Sequence, residues 1–271
     1  MTQSNKLTFK KLYQYFIIAV TGKETDFTTG SIRKAIFMLS IPMILEMMME
    51  SIFAIVDIAY VSQVSVNAVA TIGLTESVIT LVYAVAIGLS MAATAVVARR
   101  IGEKDVKGAR KAAVQAILLG VVVSILVGIV GFLYAKEILG LMGAEQDLIN
   151  EGYGYTKLLI GGNITILLLF LINAIFRGAG DASIAMWALV LSNGLNIILD
   201  PIFIFGWGPV PEYGVMGAAI ATNIGRGTAV VFQLGILFFG WSRIKIALKD
   251  IVLNFKVMFN LVKVLLALQL E

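Results

Sequence analysis

The sequence contains neither cysteine nor histidine, and only 14% of its 271 residues are charged. Without those two residue types the chain can form no disulfide, no Cys/His zinc site and no catalytic triad with a histidine base. Soluble domains carry about 25% charged residues. The low charge, together with a hydrophobic content of 59%, therefore indicates a membrane protein.

Long apolar segments make up most of the remaining sequence. A helix needs about 20 apolar residues to cross a bilayer, and six segments meet this requirement. The predicted spans are approximately Ile32–Val61, Ala68–Ala98, Ala112–Tyr134, Tyr153–Phe176, Ala182–Phe205 and Val215–Trp241. The predicted fold class is all-α, a polytopic membrane protein with six transmembrane helices.

The spans divide the chain into three predicted parts. Residues 1–31 form a cytoplasmic N-terminal arm, whose apolar stretch Tyr13–Val20 is too short to span and has no clear signal-peptide cleavage site. Residues 32–241 form the transmembrane lobe. Residues 242–271 form a cytoplasmic linker helix that ends at Glu271 in a segment typical of the start of a truncated seventh span.

Basic residues are distributed unequally between the loops and predict the orientation. The loop after the second span contains six of them: Arg99, Arg100, Lys104, Lys107, Arg110 and Lys111. The loops SQVSVN and GWGPVPEYG contain none. Cytoplasmic loops carry the excess of lysine and arginine. We therefore expect a protein of the cell (inner) membrane with both termini and the even-numbered loops in the cytoplasm.

Five acidic residues lie inside the predicted spans: Glu46, Glu50, Asp57, Glu76 and Asp200. An ionised acid at the bilayer centre costs about 2.5–3.5 kcal/mol, so these side chains should face the bundle interior or a wet cavity. At about 100° per residue, the three acids of the first span form one stripe. Burial disfavours the charged form of a carboxyl group, which allows a proton to be exchanged for a cation, as in an ion-coupled carrier.

These charged residues also have structural interpretations. Glu76 lies close to the start of its span, where a structural role is favoured, and Glu46 could pair with a basic residue near the cytoplasmic end. Asp57 and Asp200 lie toward the outer halves of their spans, and for them a functional role is favoured. Arg226, in the sixth span, either pairs with an acid or extends toward the cytoplasm.

Polar residues share one face of the fifth span. Asn193, Asn196 and Asp200 are spaced by three and four residues and so lie on the same side of the helix. In the sixth span, Thr222 and Arg226 lie one turn apart.

Two prolines lie inside predicted spans. Pro201 has no N–H and loosens its helix, which frees a carbonyl close to the preceding Asp200, and Pro42 has a similar effect in the first span. Freed carbonyls beside a carboxylate make a polar cavity that can hold a cation or water. Both prolines are therefore predicted helix kinks.

Five segments in order resemble a known family. They are LSIPMILEMMMESIFAIVDIAYVSQVS, GLSMAATAVVARRIGEKD, FRGAGD, NIILDPIFIFGWG and GVMGAAIATNIG, and together they cover about residues 30–240. In this order they resemble the N-terminal half of the multidrug and toxic compound extrusion (MATE) transporters. The wider group of these transporters also includes flippases for polysaccharides and lipid precursors.

The resemblance implies one six-helix lobe of a twelve-helix antiporter that exports lipophilic organic cations in exchange for Na⁺ or H⁺, without a cofactor. Carried over residue by residue, it assigns the coupling site to four positions: Asp57, Asn196, Asp200 and Thr222. A bound Na⁺ would lie at the first three. Glu46 and Glu50 stand where uncharged polar residues are expected, and with Asn193 they are candidates for a substrate cleft.

One departure from the family concerns the second lobe, which has no counterpart in these residues. The expectation is either a truncated product or the pairing of two copies.

A flippase for a lipid-linked sugar is the nearest alternative function, although it would favour a cationic cleft. A channel would need repeated rings of charge, and an intramembrane enzyme a nucleophile motif, so no enzyme is predicted. A non-transporting membrane fragment would require Asp57 and Asp200 for stability alone.

Overall fold

The computed structural model describes residues 9–22 and 31–269. Residues 1–8 and 23–30 of the predicted arm lie outside the described residues, as does the end of the chain at Glu271. Among the described residues the regular structure is helical. The helices are α1 (Phe9–Thr21), α2 (Ile32–Val61), α3 (Val66–Gly102), α4 (Val106–Leu133), α5 (Ala135–Leu141), α6 (Gln146–Gly161), α7 (Ile164–Ala179), α8 (Ala182–Phe205), α9 (Val215–Phe239) and α10 (Phe255–Gln269).

Six membrane spans are confirmed by length and composition: α2, α3, α4, α6 with α7, α8, and α9. The second and third spans begin earlier than predicted, at Val66 and Val106. Both starts are set by capping side chains, because Ser65 accepts a hydrogen bond from the N–H of Ala68 at 2.9 Å and Asp105 accepts one from the N–H of Gly108 at 2.8 Å.

The fourth span is not one continuous helix, as its predicted range Tyr153–Phe176 implied. It is interrupted between α6 and α7, at Gly162 and Asn163. The buried amide of Asn163 donates to the carbonyls of Ile160, at 2.7 Å, and Ser124, at 3.1 Å. The bond to Ile160 satisfies a carbonyl at the break, which a lipid-embedded chain must do internally, and the bond to Ser124 ties the break to α4.

The helices pack around α7, whose large side chains are almost fully enclosed. Leu167, Ile172 and Phe176 have no exposed surface. Against this core lie α3 and α4 on one side and α8 and α9 on the other, whereas α2 packs mainly against α8. The pair α8 and α9 approaches closely because Gly217 and Gly225 present no side chain at the crossing.

The segment after α9 returns along the ends of α3 and α4 before α10 begins. The side chain of Gln115 fixes it from both sides, since its amide N–H donates to the carbonyl of Val252 at 2.8 Å and its carbonyl accepts from the N–H of Asn254 at 2.8 Å. Arg110 pairs with Asp250 at 3.2 Å. The backbone N–H of Ala247 and this guanidinium hold the pKa of Asp250 below its usual range.

Candidate ion-coupling and substrate site

The four residues predicted to couple ions lie together where α2, α8 and α9 meet. Asp57 extends from α2, Asn196 and Asp200 from α8, and Thr222 from α9. All four side chains are buried, and Asp200 has no exposed surface. Residues that lie up to 165 positions apart in the sequence (57 to 222) thus form one polar cluster inside the lobe.

Asn196 links the acid of α8 to α9. Its amide orientation is assigned from its neighbours: the N–H donates to Asp200 Oδ2 at 2.8 Å, and the amide oxygen accepts from the hydroxyl of Thr222 at 3.0 Å. The close approach of the two helices makes this possible, because a Cβ at Gly225 would lie 2.6 Å from the carbonyl oxygen of Ser192.

The carboxyl groups of Asp57 and Asp200 lie close enough to interact electrostatically. Two carboxylates that share a buried site cannot both stay ionised without a compensating charge. The pair must therefore hold a proton or lie beside a cation. Asp57 Oδ1 is buried and has no hydrogen-bond partner among the described residues, so an oxygen ligand remains available.

The described residues contain no cluster of three or more Asp, Glu, His or Cys that could hold a metal ion. The polar cluster instead offers two carboxyl groups, an amide and a hydroxyl. Hard cations prefer such oxygen ligands. The donor set thus suits an ion that binds and leaves, and it suits a proton equally.

Both predicted kink prolines lie inside helices, Pro42 in α2 and Pro201 in α8. Pro201 follows Asp200 directly and lacks the N–H that would reach the carbonyl of Ile197. One backbone hydrogen bond of α8 is therefore missing beside the buried carboxyl group. The change of helix direction at each proline stays a prediction.

A cavity of about 530 Å³ opens beside the cluster, and Asp57 and Thr222 are among its lining residues. Arg226 lines it as well and is only 7% exposed. Its guanidinium donates to the hydroxyl of Tyr83 at 3.1 Å and lies 3.9 Å from Glu50 Oε1. Of the two predicted alternatives for Arg226, the structure favours pairing with an acid. Glu76 also lines this cavity, so its position is not purely interfacial.

A second cavity, of about 700 Å³, lies along the other half of α2 and is lined by Glu46, Glu50 and Arg177 among others. Arg177 pairs with Glu46 at 2.8 Å. This is the kind of pairing with a basic residue that the sequence suggests for Glu46. Glu50 lines both cavities. Asn193 lines neither; its amide lies 3.5 Å from Glu50 Oε2 and is otherwise buried between helices.

Two residues of the site, Tyr83 and Arg177, were not identified as candidates from the sequence. Tyr83 lies within an apolar run, where an aromatic residue is unremarkable, and its partner Arg226 is 143 residues away. Arg177 lies between the predicted fourth and fifth spans, whereas the structure places it in the last turn of α7. The one signal in the sequence for a basic partner was Glu46 itself, an acid inside the first span that needs a neutralising charge.

Comparison with known proteins places these features in a family. A family model described as MatE matches residues 42–202. A probable multidrug resistance protein NorM from Thermotoga maritima is 31% identical over 195 residues, which are 72% of this chain and 42% of that protein. The multidrug export protein MepA from Staphylococcus aureus is 26% identical over 207 residues, 76% of this chain and 45% of that protein. An FAD transporter from Shewanella oneidensis is 28% identical over 194 residues, 72% and 43% respectively.

Solved structures share the fold. A MOP superfamily transporter from Pyrococcus furiosus superposes with a TM-score of 0.81 at 32% identity, over 90% of this chain and 54% of that chain. A crystal structure of MATE in complex with MaD3S gives the same TM-score and identity, over 90% and 55%. The chain thus spans about half the length of the relatives that it matches. Since the MatE model covers more than half of its residues, this multi-pass membrane protein belongs to the MATE family.

Proposed function

We propose that the chain is the N-terminal lobe of a secondary active antiporter, which exports lipophilic or cationic compounds in exchange for Na⁺ or H⁺. The observation that carries this proposal is the buried pair of Asp57 and Asp200, whose carboxyl groups interact electrostatically and of which Asp200 is bridged to α9 through Asn196. Such a pair changes its net charge whenever a proton or cation arrives or leaves.

Coupling would act through the helices that hold the pair. When the pair gains or loses a charge, the contacts of Asp200 with α2 and with Asn196 change strength. The helix α8 can respond at this point, since Pro201 leaves one of its turns without a hydrogen bond. The state of the ion site would then alter the packing of α2 and α8 and the adjoining cavity.

The substrate cleft would comprise the two cavities along α2. The 530 Å³ cavity is lined by three acids and one arginine, and its walls include Phe53, Tyr83 and Phe170. Negative charge and aromatic faces together attract organic cations. The same excess of acids disfavours the alternative of a lipid-linked sugar flippase, because it would repel a pyrophosphate group. Glu46 and Glu50 would orient a substrate along this cleft, and Asn193, which lines neither cavity, would act through its contact with Glu50.

A second lobe is the partner that this mechanism needs, because alternating access requires one bundle to move against another. The exposed side of α2 supports a partner there, since Met47 and Ile55 leave about 70% of their surface uncovered. We propose that a second six-helix lobe, from a longer chain or a second copy, covers this side. The charge distribution supports an inner-membrane location with both termini cytoplasmic.

The decisive variant is Asp200→Asn, because an amide can neither lose a proton nor carry a negative charge for Na⁺. The protein, at its full natural length, would be reconstituted in liposomes, and tetraphenylphosphonium transport driven by an imposed pH or Na⁺ gradient would be measured. We expect transport by this variant to fall to the level of protein-free liposomes. Asp147→Asn makes the same chemical change at an exposed site of α6 and should transport like the wild type. Undiminished gradient-driven transport by Asp200→Asn would refute the coupling role.

A further inference from the structure

A buried ion pair lies away from the coupling site, between α2 and the last turn of α7. Arg177 donates one N–H to Glu46 Oε2 at 2.8 Å. The side chain of Glu46 is 7% exposed and that of Arg177 is 22% exposed. The pair lies at the end of the bundle that carries Arg99 and Arg100, which the charge distribution predicts to be cytoplasmic.

This pair is incomplete. Glu46 Oε1 is buried and has no hydrogen-bond partner among the described residues. Arginine has five N–H donors and often binds a carboxylate through two parallel bonds, yet within the described part of the chain Arg177 donates one to Glu46. A carboxylate with one oxygen unpaired is stabilised only in part, so a better cationic partner could displace the arginine.

The surroundings of the pair suit a lipophilic ligand. The cavity of about 700 Å³ falls within the usual range of small-molecule sites, about 300–1,000 Å³. Its apolar lining includes Leu39, Met43, Met47, Met91, Phe170 and Leu189. Methionine side chains adapt to ligands of different shapes. The hydroxyl of Ser90, also in the lining, is a second buried polar atom without a partner among the described residues.

We propose that this cavity is a loading site for lipophilic organic cations and that Arg177 is a tethered competitor within it. When the cavity is empty, Arg177 neutralises Glu46. When a ligand arrives, its cationic group binds Glu46 and Arg177 withdraws toward solvent, for which its position in the last turn of α7 leaves room. This inference rests on the proposed function, because it names the first position that an exported cation would occupy.

Glu50 indicates where a cation bound in this cavity would move next. It lines both this cavity and the one that contains Asp57, so a cation that leaves Glu46 can keep a carboxylate partner. If the pair of Glu46 and Arg177 were purely structural, the result would differ. Removal of either residue would then destabilise the lobe and weaken ligand binding.

The test compares two neutralising variants by equilibrium binding of tetraphenylphosphonium to the detergent-solubilised protein at its full natural length. Coupling between two ligands typically changes an affinity by about 5–150-fold. We expect Arg177→Gln to tighten binding, and Glu46→Gln to weaken it, each by at least about fivefold. Binding of triphenylphosphine oxide, a neutral analogue, should change little in either variant.

Arg177→Lys keeps the charge and should bind nearly as the wild type does, and thermal unfolding of each variant identifies any loss of fold. Weakened binding in both neutral variants that unfold at the wild-type temperature, or unchanged binding in both, would overturn the proposal. Equilibrium binding by the Arg177 and Glu46 variants tests the loading site, whereas gradient-driven transport by Asp200→Asn tests the coupling site. Failure of the loading site and failure of the coupling site are thereby distinguishable.

Discussion

Gly225 offers the sharpest quantitative test of how the polar cluster is assembled. In Gly225→Ala, the new Cβ would lie 2.6 Å from the backbone oxygen of Ser192, whereas ordinary contact begins at 3.4 Å. A carbonyl inside a helix cannot rotate away, so α9 must withdraw from α8. Thr222 lies one turn away on α9, and its hydroxyl is 3.0 Å from the amide of Asn196. A displacement of that size takes this contact beyond the range of a hydrogen bond.

The expected energy combines opposing effects. Overpacking costs about 1–3 kcal/mol, and loss of the Thr222 hydrogen bond about 0.5–1.5 kcal/mol. Alanine gains about 1 kcal/mol over glycine as a helix former. The free energy of unfolding of Gly225→Ala should therefore fall by about 0.5–3.5 kcal/mol. Gly194→Ala, in α8, is the matched control because its Cβ would have nothing within 4 Å; it should gain about 1 kcal/mol.

The assay is unfolding of the purified protein. A denaturing detergent is titrated into protein held in a mild detergent, and the circular dichroism signal of the helices reports the loss of structure. The two alanine variants should differ by about 1.5–4.5 kcal/mol, and Gly225→Ala should also lose gradient-driven transport. Equal stability of the two variants would refute the close contact between α8 and α9, and with it the basis for joining Thr222 to Asn196.

Two further predictions concern Pro201 and Asp250. Pro201→Ala restores the N–H that the carbonyl of Ile197 lacks, so stability should rise while gradient-driven transport slows; transport at the wild-type rate would argue against bending at this turn. The pKa of Asp250 is held below its usual range by the N–H of Ala247 and the guanidinium of Arg110, so this contact is fully present above the unfolded pKa of about 3.9. It is lost as the pH falls through the folded pKa. Hydrogen exchange in residues 247–254, corrected for intrinsic rates, should thus increase at acidic pH, and Asp250→Asn should remove that pH dependence.

The membrane spans were predictable because span length and apolarity are local properties of the chain. The lobe architecture and the family followed from five short segments in order. The interruption at Asn163 was not predictable, since an asparagine in an apolar run becomes a helix break only when neighbouring carbonyls, such as that of Ser124, receive its amide. The roles of Asp57 and Asp200 in coupling stay predictions.

The sequence by itself determined that the protein lies in a bilayer, crosses it six times and carries acids and prolines within those crossings. Only the tertiary structure decided which of these groups meet. It brought Asp57 close to Asp200, paired Glu46 with Arg177, and placed Arg226 between Tyr83 and Glu50. The physical reason is that hydropathy depends on each residue's own side chain, whereas a pair of charges depends on how closely two helices approach, and glycines such as Gly225 set that distance.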